Sequence, residues 1–207
     1  MTFDFIYLAS QSPRRRQLLD QLGVRHDLLL AGPEEDAEAL EALRPNEPPA
    51  TYVKRVTLAK LGAAEARLAQ RGLAPAPILC ADTTVALGRR ILGKPMDAAD
   101  ASAILGALSG HTHRVLTAVA LAWPGQGGAT QRAMQVSTST VRFSALTPAW
   151  ITDYVASGEP MGKAGAYAIQ SQAAACIEHI TGSYSGIMGL PLHETALLLQ
   201  GADVLPR

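Results

Sequence analysis

The chain is short of cysteine, of aromatic residues and of net charge, and each shortage closes off a class of function. Its two cysteines, Cys80 and Cys176, lie in apolar stretches with no metal-ligand spacing around them. Both read as buried thiols, so no disulfide or zinc framework is expected. Aromatic residues make up 5% of the chain, with only three Phe, and 18 basic residues balance 18 acidic ones. Bulk attraction to nucleic acid or to an anionic membrane is therefore not expected, and any anion site has to be a local cluster. No apolar run is long enough to span a membrane. Asp4 interrupts the N-terminus before any long apolar segment, so no signal peptide is expected and the profile is cytoplasmic. Neither a P-loop nor a dinucleotide fingerprint occurs. Without a Gly-x-Ser-x-Gly elbow, a serine-nucleophile hydrolase is not indicated.

What is present suits one α/β domain over residues 1–207, with 48% hydrophobic residues to build its core. Strand patterns are expected at 5–9, 24–30, 78–87, 91–92, 115–123, 135–143 and 174–180. Helical patterns fall between them, at 13–22, 51–70, 98–108, from Thr147-Pro148 towards Gly158, and at 191–199. Residues 31–49 read as a long acidic loop with Glu34, Glu35, Asp36, Glu38 and Glu41. Long loops in compact domains are often functional. Gly162–Tyr167 and Gly182–Gly186 read as small-residue loops that permit close backbone approach to a ligand, or as plain turns.

Three arginines, Arg14, Arg15 and Arg16, fall in the first turn of the opening helix, behind Ser12 as N-cap and Pro13 at the first helical position. A helix N-terminus already carries partial positive charge, and each added cation costs about 0.3–1 kcal/mol. The arginines either fan into water or receive a multiply charged anion. Asp82 interrupts an apolar strand, where an unpaired carboxylate is costly. It reads either as a strand-end cap or as a general base or metal ligand. Lys60, on the long helix, and Lys94, in Gly93-Lys94-Pro95, are flexible cations able to reach a phosphate, or else snorkelling and loop lysines. His111 and His113 would share a face of an extended segment, but no third metal ligand stands nearby.

These segments, in this order, resemble the Maf family of nucleoside triphosphate pyrophosphatases. The matching stretches are Leu8-Ala9-Ser10-Gln11-Ser12-Pro13-Arg14-Arg15, the helix from Tyr52-Val53-x-Arg55 to Lys60, and Ala81-Asp82-Thr83. They continue through Ile91–Pro95, Leu108-Ser109-Gly110 with His113, Ser157–Pro160, Lys163–Tyr167 and Gly189–Leu192. The resemblance implies an elongated mixed sheet flanked by helices, two lobes around a cleft, and an architecture like that of inosine triphosphate pyrophosphatase. The implied reaction converts a nucleoside triphosphate to the monophosphate and pyrophosphate with a divalent cation, Mg²⁺ before Mn²⁺ or Co²⁺. A homodimer is implied as well.

Ser12-Pro13-Arg14, Asp82-Thr83 and Ile169-Gln170 match the subgroup acting on dTTP and UTP, whereas the subgroup acting on 7-methyl-GTP carries Asp-Gln at the second of these positions. By resemblance Asp82 is the proton acceptor, and Arg14, Thr83 and Gln170 set specificity. Ser10 and Arg15 join them in binding substrate, and Lys60, Lys94 and Arg15 neutralise the triphosphate. Glu35 and Asp82 are the candidate metal ligands. A free carboxylate falls short as a base for bulk water by roughly twelve pKa units, and a bound divalent cation narrows that gap. Gln170 could read uracil and thymine alike through an amide that both donates and accepts. Three positions depart from the family pattern: Thr57 replaces an alanine, Gly162 an aspartate and Ser171 a glycine. Activity on modified nucleotides and a nucleotide-binding role in septum formation are the alternative readings.

Overall fold

Alternation along three strands organises the molecule. In β1 (Ile6–Leu8), β3 (Ile78–Leu87) and β5 (Thr112–Pro124), successive apolar residues face opposite sides of one sheet. Ile6, Leu8, Leu79, Ala81, Val119 and Leu121 pack on one side, with Leu18 and Leu19 of α1 (Pro13–Gln21) and Leu198 and Leu199 of α6 (Leu192–Gly201). Tyr7, Ile78, Cys80, Ala120 and Ala122 pack on the other, beneath Leu61 and Ala64 of α2 (Pro49–Gln70). Side chains on both faces are buried, as expected of a sheet covered by helices on both sides.

The computed structural model describes residues 3–36 and 39–205, so Glu38 of the acidic loop lies outside the described residues. Among them, seven strands form one mixed sheet in the order β2-β1-β3-β5-β6-β7, with β4 also paired to β3. The remaining strands are β2 (His26–Leu28), β4 (Arg90–Leu92), β6 (Thr130–Phe143) and β7 (Ile177–Thr181). β1 runs parallel to β2 and β3, and every other pairing is antiparallel. A third apolar cluster gathers α3 (Ala98–Leu108), α4 (Pro148–Ala156) and the segment around Ala166–Ile169 against the far ends of β3, β5 and β6. Packing thus divides the sheet into two ends, α1, α2 and α6 covering the β1 end and α3 and α4 the far one. No helix among the described residues is long and apolar enough to cross a membrane.

The expected elements recur with shifted ends. β2 is shorter than residues 24–30, and β5 and β6 are longer than expected. Residues 182–186 are not wholly a loop. Ser183 caps a short helix, α5 (Tyr184–Met188), by accepting from the Gly186 N–H at 2.9 Å. Ser12 occupies the N-cap position of α1, but its side chain makes no cap bond; its N–H instead donates to Ser10 Oγ at 3.2 Å.

Candidate active site

β1 and β4 share the same edge of β3 and leave a gap between them. β1 pairs with β3 only as far as Leu8↔Leu79, and β4 begins at Val85↔Leu92. On that edge, residues 80–84 of β3 have no strand beside them among the described residues, and Asp82 and Thr83 lie in that opening. Crevices beyond the carboxyl ends of parallel strands are the usual ligand sites of α/β sheets. Here the crevice is a cavity of about 840 Å³ between the two ends, lined by Ser10, Arg14, Arg15, Glu35, Lys60, Asp82, Thr83, Lys94 and Gln170. The nine residues that the resemblance assigns to the site all line this one cavity.

Strand parity divides the two central residues. Asp82 continues the even series of β3 and faces α2, where it meets Lys60 at 2.6 Å. Lys60 lies on the inward stripe of α2, four residues before Ala64 and seven before Arg67. Its ammonium also donates to Glu41 Oε1 at 2.7 Å, and Lys94 donates to Glu41 Oε1 at 3.0 Å and Oε2 at 2.8 Å. One carboxylate from the acidic loop thus satisfies both lysines. Burial would raise the Glu41 carboxyl, but Lys60 and Lys94 outweigh it and hold the group below the usual carboxylate range. Sequence reading placed Glu41 in the acidic loop without assigning it to the site.

Thr83 belongs to the odd series and faces α1. Its hydroxyl lies 3.4 Å from Arg15 Nη2 and 3.0 Å from Thr117 Oγ1. Arg15 also donates to Ser10 Oγ at 3.2 Å and to the Gly189 carbonyl at 2.7 Å, while Arg14 donates to the Met188 carbonyl at 3.3 Å. Arg16 is exposed on the outer side of α1. The three arginines therefore divide, two turned to the cavity and one to water. Burial lowers the pKa of both inner guanidiniums; at Arg15, Asp82 opposes that shift and Arg14 adds to it.

Glu35 lines the same cavity, clamped by Arg67. Arg67 Nε and Nη2 reach its two carboxylate oxygens at 2.7 and 2.5 Å, and the Gly32 N–H adds a third bond at 3.0 Å. Arg67 is buried and also donates to the Leu29 carbonyl at 2.8 Å. The sequence reading missed it, although an arginine on the inward stripe of an apolar helix is a signal that a partner is needed. Lys163, another cation on the cavity wall, donates to the Glu159 carbonyl. Gln170 is exposed at the cavity edge. His111 and His113 do not act together: His111 is exposed, while buried His113 meets the Tyr167 hydroxyl at 2.8 Å.

The model of the family described as Maf-like protein matches residues 5–202. The chain is 65% identical over 197 residues to the dTTP/UTP pyrophosphatase of Albidiferax ferrireducens, covering 95% of this chain and 96% of that one. It is 64% identical over 201 residues to a protein of the same name from Polaromonas sp. strain JS666, with 97% of each covered. The corresponding protein of Burkholderia pseudomallei is 58% identical over 205 residues, covering 98% of this chain and 96% of that one. Among solved structures, a HAM1 protein from Coxiella burnetii overlaps 98% of this chain and 100% of its own at 14% identity and a TM-score of 0.44.

Proposed function

The chain belongs to the Maf family, and on that footing we propose that it is a dTTP/UTP pyrophosphatase, hydrolysing either nucleotide to the monophosphate and pyrophosphate in nucleotide-pool house-cleaning. The observation that carries the chemistry is the Lys60 ammonium held between Asp82 and Glu41 in a cavity also lined by Arg14, Arg15 and Lys94. At an effective dielectric near 20, a pair of unit charges 4 Å apart interacts by about 4 kcal/mol. A triphosphate brings several charges where Glu41 brings one, so it displaces Glu41 from both lysines on entry. Asp82, still beside Lys60, accepts the proton of a water attacking the α-phosphorus. The bond from that phosphorus to the bridging oxygen breaks, and pyrophosphate leaves among the cations of the cavity. Gln170, exposed at the edge, reads the carbonyl and imide N–H edge that uracil and thymine share.

A divalent cation fits the donors available. Among the described residues no three of His, Cys, Asp and Glu form a metal cluster. Mg²⁺ needs only one or two carboxylates beside substrate phosphates. Asp82 uses Oδ1 for Lys60, and its other oxygen makes no hydrogen bond to the described residues. Glu35, with both oxygens on Arg67, lines the same cavity, as do Asp36 and Glu41. Asp82 and Glu35 would hold the ion, Mg²⁺ before Mn²⁺ or Co²⁺, and it would supply charge neutralisation and a more acidic water.

The balanced charge supports a protein acting without nucleic acid or membrane, and we place it in the cytoplasm as a homodimer, which sedimentation in solution tests. For the reaction itself, purified protein is incubated with Mg²⁺ and a nucleotide panel. Monophosphate with pyrophosphate is expected from dTTP and UTP; diphosphate with orthophosphate would overturn the proposal. Asp82→Asn is expected to lose about 10²–10⁴-fold in kcat, the usual worth of a general base, while still binding substrate.

A further inference from the structure

One carboxylate outside the phosphate-binding cluster grips the segment that carries Gln170 at both ends. Glu159 follows α4 at Ser157-Gly158-Glu159-Pro160. Its Oε1 accepts from the Tyr154 hydroxyl at 2.6 Å, and its Oε2 accepts from the Ser171 hydroxyl. The Tyr154 oxygen in turn accepts the Ala168 N–H at 3.3 Å. Ala168 and Ser171 are closed on each other by a bond from the Ser171 N–H to the Ala168 carbonyl at 3.3 Å. Gln170 thus sits in a short turn whose first residue is held through Tyr154 and whose last is held by Glu159 directly. The anchor is firm at its base, because Tyr154 is 1% exposed and stacks on Trp150 at 4.7 Å between ring centroids. The Gln170 amide itself makes no hydrogen bond to the described residues. With nothing holding the amide directly, its direction depends on the backbone that carries it.

We propose that Glu159 is a positioning residue for base recognition, acting on Gln170 through Ser171 and, by way of Tyr154, through Ala168. The inference rests on the reading of Gln170 as the group that meets the pyrimidine. It also gives the serine at position 171 a purpose, because a glycine there would have no hydroxyl to offer Glu159. Two acceptor oxygens are needed, one for each hydroxyl. Glu159→Gln keeps the shape but replaces one acceptor by a donor.

The test separates the base half of the substrate from the phosphate half. KM and kcat are measured for dTTP and UTP, and inorganic tripolyphosphate serves as a baseless competitive inhibitor. Glu159→Gln is expected to raise KM for both nucleotides about tenfold, and Ser171→Gly about threefold, with kcat held within twofold and the inhibition constant of tripolyphosphate unchanged. In a Gln170→Ala background the Glu159→Gln effect on KM is expected to vanish, which a merely structural role would not produce. Equal weakening of dTTP and tripolyphosphate, or a Glu159→Gln effect that persists without Gln170, overturns the proposal. A Gln170→Ala variant with unchanged KM for dTTP points instead to failure of the base-reading assignment beneath it, and the proposal falls with it.

Discussion

At the scale of single residues, the free site is held in order by an anion of its own. Glu41 gives Lys60 and Lys94 a shared counter-charge that substrate has to replace. Glu41→Gln removes that competitor, so KM for dTTP is expected to fall several-fold with kcat unchanged. Steady-state kinetics check this, and a fall in kcat would show instead that Glu41 assists the chemistry. Asp82 and Arg15 stood out in the sequence because a carboxylate in an apolar strand and cations at a helix N-terminus are locally unfavourable. Arg67 carried a weaker flag, a cation on an inward helical stripe, and Glu41 carried none; the partner of neither was marked. Their bonds, to Lys60 across 19 residues and to Glu35 across 32, depend on the path of the acidic loop across α2. No spacing rule encodes that path.

At the scale of elements, strand parity and helical stripes were legible, and they carry much of the site. Asp82 and Thr83 are neighbours in sequence yet serve opposite walls because side chains alternate along β3. What periodicity could not reveal is that β1 and β4 occupy one edge of β3 and stop short of each other, since pairing partners are nonlocal. The short helix α5 was hidden by its small residues and its brevity, below the length at which a 3.6-residue period shows. The segment bearing Lys163 illustrates how one backbone position couples elements. Gly165 has φ 72°, its N–H donates to the Gly93 carbonyl beside Lys94 at 3.0 Å, and an added Cβ would lie 2.8 Å from Val85 Cγ2. Gly165→Ala therefore meets a left-handed backbone and an overpacked contact together, costing about 1–3 kcal/mol. A lower urea midpoint is expected, with a raised KM as the Lys94 loop shifts.

At the scale of the whole molecule, stability against acid is expected to fall in two stages with different owners. His113 is 2% exposed, and its Nδ1 has no partner among the described residues. Burial pushes its pKa down to about 4 from an ordinary 6.5. The unfolded chain takes up this proton near pH 6.5 and the native chain only near 4. The contribution of neutral His113 is thus complete above pH 6.5 and is lost as pH falls towards 4, amounting to about 3 kcal/mol at roughly 1.4 kcal/mol per unit. The lower stage belongs to carboxylates. Arg67, helped by the Gly32 N–H, holds Glu35 down to about 2 from 4.5, so its contribution is complete above pH 4.5 and disappears as pH falls towards 2. Glu41 and Glu47, held low by Lys60 and Lys94 and by Arg55, share that stage. Urea midpoints measured from pH 8 to pH 2 should therefore decline first between 6.5 and 4, then again below 4.5. His113→Gln, whatever it does to the plateau, is expected to flatten the first decline and leave the second. Glu35→Gln is expected to shallow the second alone. If Glu35→Gln flattened the upper stage instead, the native histidine would have to be titrating near its ordinary value, and the burial of His113 against Tyr167 could not be the source of the acid sensitivity.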